Sequence, residues 1–413
     1  MALALKSRYS GDMTLSSTET AAVERCADEP MLDQVEQWAA TNSGSRNLDG
    51  LAAMAALYAD AFSALPGEIS LRDPAPVEAM EANGSLRPID HGRNLHVRVR
   101  PQAPTQLLFT GHMDTVYGAD HPFQSLAWRD EGVLGGPGVA DMKGGLAVML
   151  AALKAVEASP SAASIGYEIV VNSDEEVGSP GSSTLIAEAA RGKKAAFTYE
   201  PSALPDGTLA GARPGSGNFS ILVIGRSAHA GRNPEEGRNA VVAAADLALR
   251  LARIAGPRLS VNPAKIDGGG PNNVVPDQAV LRVNMRPATA EDQQRGQAHL
   301  DSAIAMVAAE HDVAITLHGN FARPPKLLSP AAEALFGLVK SCGADLGQEI
   351  GWKPTGGVCD GNNIAACGVP VVDTMGVRGG AIHSPDEYLI VASLAERAQL
   401  SALAVLRLAG GGL

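Results

Sequence analysis

The chain has 413 residues, with 33 Lys+Arg against 45 Asp+Glu and a formal net charge of −12. Hydrophobic residues make up 45% and charged residues 19%, which excludes a disordered chain and leaves apolar material for the cores of two or three domains. The acidic balance excludes a general binder of nucleic acid or anionic membrane, since both need a basic field, and no run approaches the about 18 apolar residues of a membrane span.

The first residues, MALALKSRYSGDM, carry an apolar run too short for a signal peptide, with charge after the run instead of before it. Four cysteines (Cys26, Cys342, Cys359, Cys367) form no C-x-x-C pair. That usage suits a reducing compartment, so a cytoplasmic location is expected. Apolar spacing of three and four predicts helix over residues 31–65, broken at Asn42–Gly44. Leu95–Val99 alternates like a strand, and QLLFT (Gln106–Thr110) is a short buried-type strand. Gly144–Val156 predicts a helix opening at a glycine pair. Tyr167–Val171 and Ala195–Tyr199 are two further strands. This alternation is that of an α/β sheet with parallel members.

From about residue 212 the pattern changes. Strand Phe219–Gly225, helix Asn239–Ile254, strand Pro263–Ile266, strand Ala279–Arg286, helix Glu291–Glu310 and strand Ala314–His318 follow one another. This β-α-β-β-α-β order is the split βαβ, ferredoxin-like sandwich. After Pro324–Pro325, a helix (Ala331–Ser341), the strand Pro370–Asp373 and a helix near Leu394–Leu408 return to the first style. The expected fold class is α/β with a mixed, largely parallel sheet. Residues 1–211 and 324–413 are expected to form one α/β domain, with 212–323 as a domain inserted into it.

Candidate chemistry collects just after these strands, where open α/β sheets place their sites. His112 and Asp114 follow QLLFT, as a metal-binding imidazole with an orienting carboxylate or as a strand-end histidine bonded to its turn. The glycine-rich Gly135–Gly145 loop fails as a phosphate cradle: Asp141 stands where G-x-G-x-x-G needs glycine, and Met142-Lys143-Gly144 is not Gly-Lys-Ser/Thr. A carboxylate there attracts cations instead. Asp174, Glu175 and Glu176 follow YEIVV, as a cation site or as a solvated acidic loop. Glu200 ends AAFTY, and His383 lies in a glycine turn. Together His112, Asp141, Glu176, Glu200 and His383 offer two imidazoles and three carboxylates, a set suited to two Zn2+-type ions sharing one carboxylate.

The ordered series GHMDTV, GVADMKGG, NSDEEVGS, YEP, SAHAG, NVVP and GGAIHS resembles the co-catalytic zinc aminoacylase/carboxypeptidase family of carboxypeptidase G, acetylornithine deacetylase and succinyl-diaminopimelate desuccinylase. The resemblance runs from about residue 107 to 390 and implies a zinc-peptidase domain interrupted by a dimerisation lid. It implies that Asp141 bridges two Zn2+ (Co2+ or Mn2+ also fit), with His112 and Glu200 on one ion and Glu176 and His383 on the other. Glu175 would be the general base, Asp114 would orient His112, and the Asp141–Met142 peptide would be cis. His229 of SAHAG resembles the lid histidine that reaches across a homodimer to the scissile carbonyl. Asn273 and Arg286 resemble lid residues that bind the substrate carboxylate, with Arg213 assisting. Arg323 resembles the glutamate-recognising arginine of carboxypeptidase G types. The Thr355–Asn363 stretch, with Gly357, should present backbone groups to substrate, although Cys359 departs from the commoner form of that loop.

These readings converge on a dinuclear amidohydrolase cleaving an N-acyl or peptide bond next to an amino acid with a free carboxylate, of the glutamate carboxypeptidase type. An N-acyl-amino-acid deacylase or dipeptidase is the neighbouring alternative. An inactive metal-binding scaffold is the alternative of another class, and Glu175 beside Glu176 speaks against it, because a scaffold needs the ligand and not the base.

Overall fold

A computed structural model describes residues 15–412. The signal-peptide reading of residues 1–13 lies outside the described residues. Three helices come first: α1 (Ser17–Ala27), α2 (Met31–Ala39) and α3 (Leu48–Phe62). The periodicity reading has no counterpart for α1, which opens with a capping box of Ser16 and Glu19. The expected break at Asn42–Gly44 is wider, and it ends where the Asn47 side chain accepts from Gly50 N and caps α3.

Five strands of the central sheet follow in chain order: β1 (Glu68–Arg72), β2 (Asn94–Val99), β3 (Thr105–His112), β4 (Ile165–Asn172) and β5 (Ala195–Thr198). Between β3 and β5 lie α4 (Gly144–Glu157) and α5 (Ser183–Ala190). The second unit holds β6 (Ser216–Ile224), α6 (Ala240–Arg253), β7 (Leu259–Gly268), β8 (Gln278–Pro287), α7 (Ala290–His311) and β9 (Ala314–Arg323). The chain then returns through α8 (Pro330–Asp345), α9 (Asp360–Ala366), β10 (Val371–Val372) and α10 (Ala392–Ala409).

The central sheet has the order β1-β2-β4-β3-β5-β10. β4, β3, β5 and β10 run parallel to one another, while the β1–β2 and β2–β4 pairings at one edge are antiparallel. The sheet is therefore mixed, with its parallel half where the site lies. The alternation read in β2 does not give it a wet face. His96 points away from Leu95 and Val97 but is buried, with Nε2 2.7 Å from Glu168 on β4. α4 is apolar all round and correspondingly enclosed, packed on α10, α1 and α2.

In the second unit the sheet order is β7-β8-β6-β9, every pairing antiparallel, with α6 and α7 over one face. β7 is an edge strand, which tolerates Pro263 at the cost of a register shift before Lys265. β9 runs beyond the expected His318 to Arg323, with Gly319 in the left-handed region (φ 102°). Its last residue pairs with Ser216, so the segments that enter and leave this unit lie side by side.

Short strands that periodicity does not reveal complete the frame. Ala127–Asp130, Val133–Gly135, Gly379–Gly380 and Tyr388–Ile390 form a second small sheet, which places the glycine-rich loop beside the His383 turn.

The glycine pair that opens α4 has a steric reason. A Cβ on Gly145 would lie 2.0 Å from the Tyr199 carbonyl oxygen, at the end of β5. Gly145→Ala is expected to destabilise the fold by about 1–3 kcal/mol, the scale of forced overpacking, measured as a lowered urea midpoint. An unchanged midpoint would show that α4 and β5 can separate freely.

Candidate active site

β3, β4 and β5 are parallel, so their carboxyl ends open on one side of the sheet. His112 is the last residue of β3, Glu175 and Glu176 open a turn just after β4, and Glu200 follows β5. Asp141 lies between Gly135 and α4, and its peptide bond to Met142 is cis. His383 sits on the turn after Gly379–Gly380 with a left-handed backbone (φ 61°), as does Ala381 (φ 53°). Non-glycine residues in that region are uncommon and gather at functional sites.

Asp141 stands at the centre. Its Oδ1 is 3.1 Å from Nε2 of His112, and its Oδ2 is 3.3 Å from Nε2 of His383. Glu200 Oε2 lies 3.8 Å from His112 Nε2, and Glu176 Oε2 lies 3.1 Å from His383 Nε2. Two triads result, His112–Asp141–Glu200 and Asp141–Glu176–His383, each with its ligand-type atoms within 4.8 Å of one another. One carboxylate offers an oxygen to each side. That donor set, imidazole nitrogens with carboxylate oxygens, fits a pair of divalent ions of the zinc type.

The surrounding groups hold this set in place. Nδ1 of His112 donates to the Asp114 carbonyl (2.9 Å), which leaves Nε2 to face Asp141. The Asp114 carboxylate accepts from Ser45 Oγ (2.7 Å) and from the backbone N–H groups of Glu175 (3.1 Å) and Glu176 (3.2 Å). It therefore ties the His112 segment to the Glu175–Glu176 turn, beyond the orienting role expected of it. Glu387, which the sequence reading does not single out, is fully buried. It accepts from the N–H groups of Gly138, Ala140 and Asp141 and from the Tyr117 hydroxyl. This carboxylate shapes the loop that carries Asp141.

A cavity of about 450 Å³ opens over these groups. Asp141, Glu175, Glu176, Glu200 and His383 lie on its wall, together with Arg213 and Gly357. A family model for peptidase family M20/M25/M40 matches residues 108–407, a span that contains both triads. The chain belongs to this peptidase family. M20 metallopeptidases are metal-dependent hydrolases of amide or peptide bonds, and the protein is a hydrolase of that kind. It is 32% identical over 334 residues to carboxypeptidase G2 of Pseudomonas sp. (strain RS-16), covering 78% of each chain. It is 26% identical to the succinyl-diaminopimelate desuccinylase of Verminephrobacter eiseniae, over 78% of this chain and 83% of that one. The fold is also that of aminopeptidase PepT from Bacillus cereus, with a TM-score of 0.68 at 22% identity over 94% of this chain and 99% of the other.

The electrostatics of the M20 site follow from crowded acids. Burial, reinforced by Asp141, pushes Glu176 up to about 8 and Glu200 up to about 7. Burial also pushes Glu175 up to about 8, against the opposing charge of Arg323. Hydrogen bonds to Asp141 and Glu176 raise His383 to about 11. For Asp141, burial is outweighed by His112 and His383, which hold it well below the usual carboxylate range. Clustered negative charge of this kind is what bound cations relieve.

The expected substrate residues lie in three different settings. Arg213 is buried, with Nε and Nη2 on the Asp373 carboxylate (2.8 and 3.2 Å) and Nη1 donating to Gly357 O (3.1 Å). Cys359 is also buried, its thiol 3.5 Å from Asp373. Arg286 is exposed and reaches from β8 to Gly356 O (3.2 Å), beside the cavity's Thr355–Cys359 wall. His229 and Asn273 are exposed neighbours on the second unit, where Ala230 N donates to Asn273 O, and neither lines the cavity. Arg323 does not line it either: its guanidinium is buried against Glu175.

Among the described residues, no helix is long and apolar enough to cross a membrane.

Proposed function

We propose that this M20 hydrolase cleaves an N-acyl or peptide amide whose leaving amine belongs to an amino acid with a free α-carboxylate. In this reading it uses two divalent ions, Zn2+ with Co2+ or Mn2+ as alternatives. It works as a homodimer in which residues 212–323 serve as lid and dimerisation unit, flanked by catalytic parts 1–211 and 324–413. The observation that carries the reading is the pair of triads sharing Asp141, with Glu175 on the wall of the same cavity.

His112, Asp141 and Glu200 would hold one ion, and Asp141, Glu176 and His383 the other. Bound there, the ions would polarise the scissile carbonyl and the attacking water. Glu175 takes the proton of that water and delivers it to the leaving amine. Arg286 receives the α-carboxylate at the Gly356–Gly357 loop, which Arg213 fixes from behind, and Asn273 adds an amide from the lid. The α-carboxylate is the recognised group. A glutamate-type leaving group, expected on Arg323, would need its γ-carboxylate to draw that guanidinium off Glu175. Hydrolysis of a panel of N-acyl amino acids and dipeptides, varying the acyl group and the amino acid independently, tests the reading. Equal rates for α-carboxylates and their amides would contradict it.

Two features support the dimer. Val242 (51% exposed) and Leu249 (59%) are large apolar side chains left exposed two turns apart on α6, which contact with a second copy would cover. His229 is exposed on the same unit and away from its own chain's cavity, which suits a role in the partner's site. His229→Ala is expected to lower the turnover number by about 10²–10³, the scale of losing one oxyanion donor, with metal content unchanged. Mixing it with a Glu175→Ala chain should restore activity on subunit exchange, since one site of each mixed dimer then carries both groups. Proven exchange without recovery would show that His229 does not act across the dimer.

A further inference from the structure

We propose that Arg323 is a positioning residue for the general base Glu175, and not the cation that selects the side chain of the leaving amino acid. This rests on the reading of Glu175 as the base. β9 carries Arg323 out of the lid and into the catalytic half, where the residue is 5% exposed. Its Nη2 forms an ion pair with Glu175 Oε1 (2.7 Å) and donates to the Glu175 carbonyl (3.0 Å) and to Ser179 Oγ (2.9 Å). Nη1 donates to Val358 O (3.3 Å), and Asp360 Oδ1 lies 3.5 Å from Nη2. Asp360 is itself held by Ser179 Oγ (2.5 Å) and Asn172 Nδ2 (2.8 Å).

One guanidinium thus grips both the side chain and the main chain of Glu175, and is braced by a buried network from β4 and α9. A glutamate side chain has three rotatable bonds, and a base must present one oxygen within hydrogen-bond reach of its proton. Engaging Oε1 from behind leaves Oε2 as the oxygen free to take that proton. A substrate carboxylate would have to reach a guanidinium that does not line the cavity and whose Nη1 and Nη2 are already engaged, leaving only the buried Nε without a partner. Arg286, exposed beside the cavity, and Arg213, on its wall, are the cations nearer to a bound substrate.

The test is a kcat-against-KM split with N-acyl-glutamate and N-acyl-glutamine as substrates. Arg323→Met should lower kcat by about 10²-fold for both, the cost of misplacing a catalytic group by about 1 Å. KM should stay within about threefold and metal content should be unchanged. Arg323→Lys should recover part of the loss, because an ammonium can meet Oε1 but cannot also span to Val358. A raised KM for N-acyl-glutamate alone, with kcat intact, would overturn the proposal. If the Met variant does not fold, Arg323→Lys carries the same comparison: positioning lowers both substrates equally, whereas selection changes their ratio. Glu175→Gln run alongside separates the failures. An active Gln variant removes the base assignment and the proposal with it, while an inactive one beside a pure KM effect at Arg323 removes the proposal alone.

Discussion

Glu175→Gln should lower kcat by about 10²–10⁴, the contribution of a positioned general base, and leave the metal content and the fold intact. Glu175 is absent from both triads, so its amide removes no ligand atom. Its backbone N–H still donates to Asp114, so the turn that carries Glu176 keeps its anchor. The amide is nearly isosteric and can still lie against Arg323, so what it lacks is the ability to take a proton. Steady-state kinetics with metal analysis on the same sample separates this from a ligand effect. Glu176→Ala is the contrast, since it should lose one ion as well as turnover.

Asp141→Ala should abolish turnover and metal retention together, because the one residue common to both triads is gone. The expected loss exceeds that of any single unshared ligand. Chelation of the wild-type protein should act in the same direction. A ligand that binds only the folded state stabilises it by RT ln(1 + [L]/Kd), about 2.7 kcal/mol at a hundredfold excess over Kd. Removing it should therefore lower the melting temperature of the wild-type protein, with activity returning on adding back Zn2+ or Co2+. The melting temperature of Asp141→Ala should not respond to chelator. A chelator shift of equal size in both proteins would place the stabilising metal elsewhere.

The ligand-type residues are legible in the sequence because each one breaks a local rule. Asp141 interrupts a glycine loop that would otherwise cradle phosphate, and three acids at Asp174–Glu176 abut a strand that must be buried. Such residues stand out without any knowledge of their partners. The element order of the second unit is legible for another reason: its strands and helices are long enough for the period of two or 3.6 to repeat. What stayed hidden was what depends on distant pairing. Glu387 reads as a surface acid in SPDEY, and its neighbour Asp386 is exposed, yet Glu387 is buried under three backbone N–H groups some 250 residues upstream. Arg213 meets Asp373 across 160 positions. Neither pairing leaves a periodic trace. Strands of two to four residues, such as Gly379–Gly380, are likewise too short to show a period. Arg323 shows the limit of resemblance: the motif supplies a candidate role, whereas the contacts with Glu175, Ser179 and Val358 depend on how far β9 extends.

The most direct measurement of the account is a metal titration of the chelated protein, following bound ions per chain and kcat in the same samples. Two triads that share Asp141 predict saturation at two ions per chain, with full turnover reached only as the second ion binds. Saturation at one ion with full turnover would contradict the shared-carboxylate, dinuclear reading of this site.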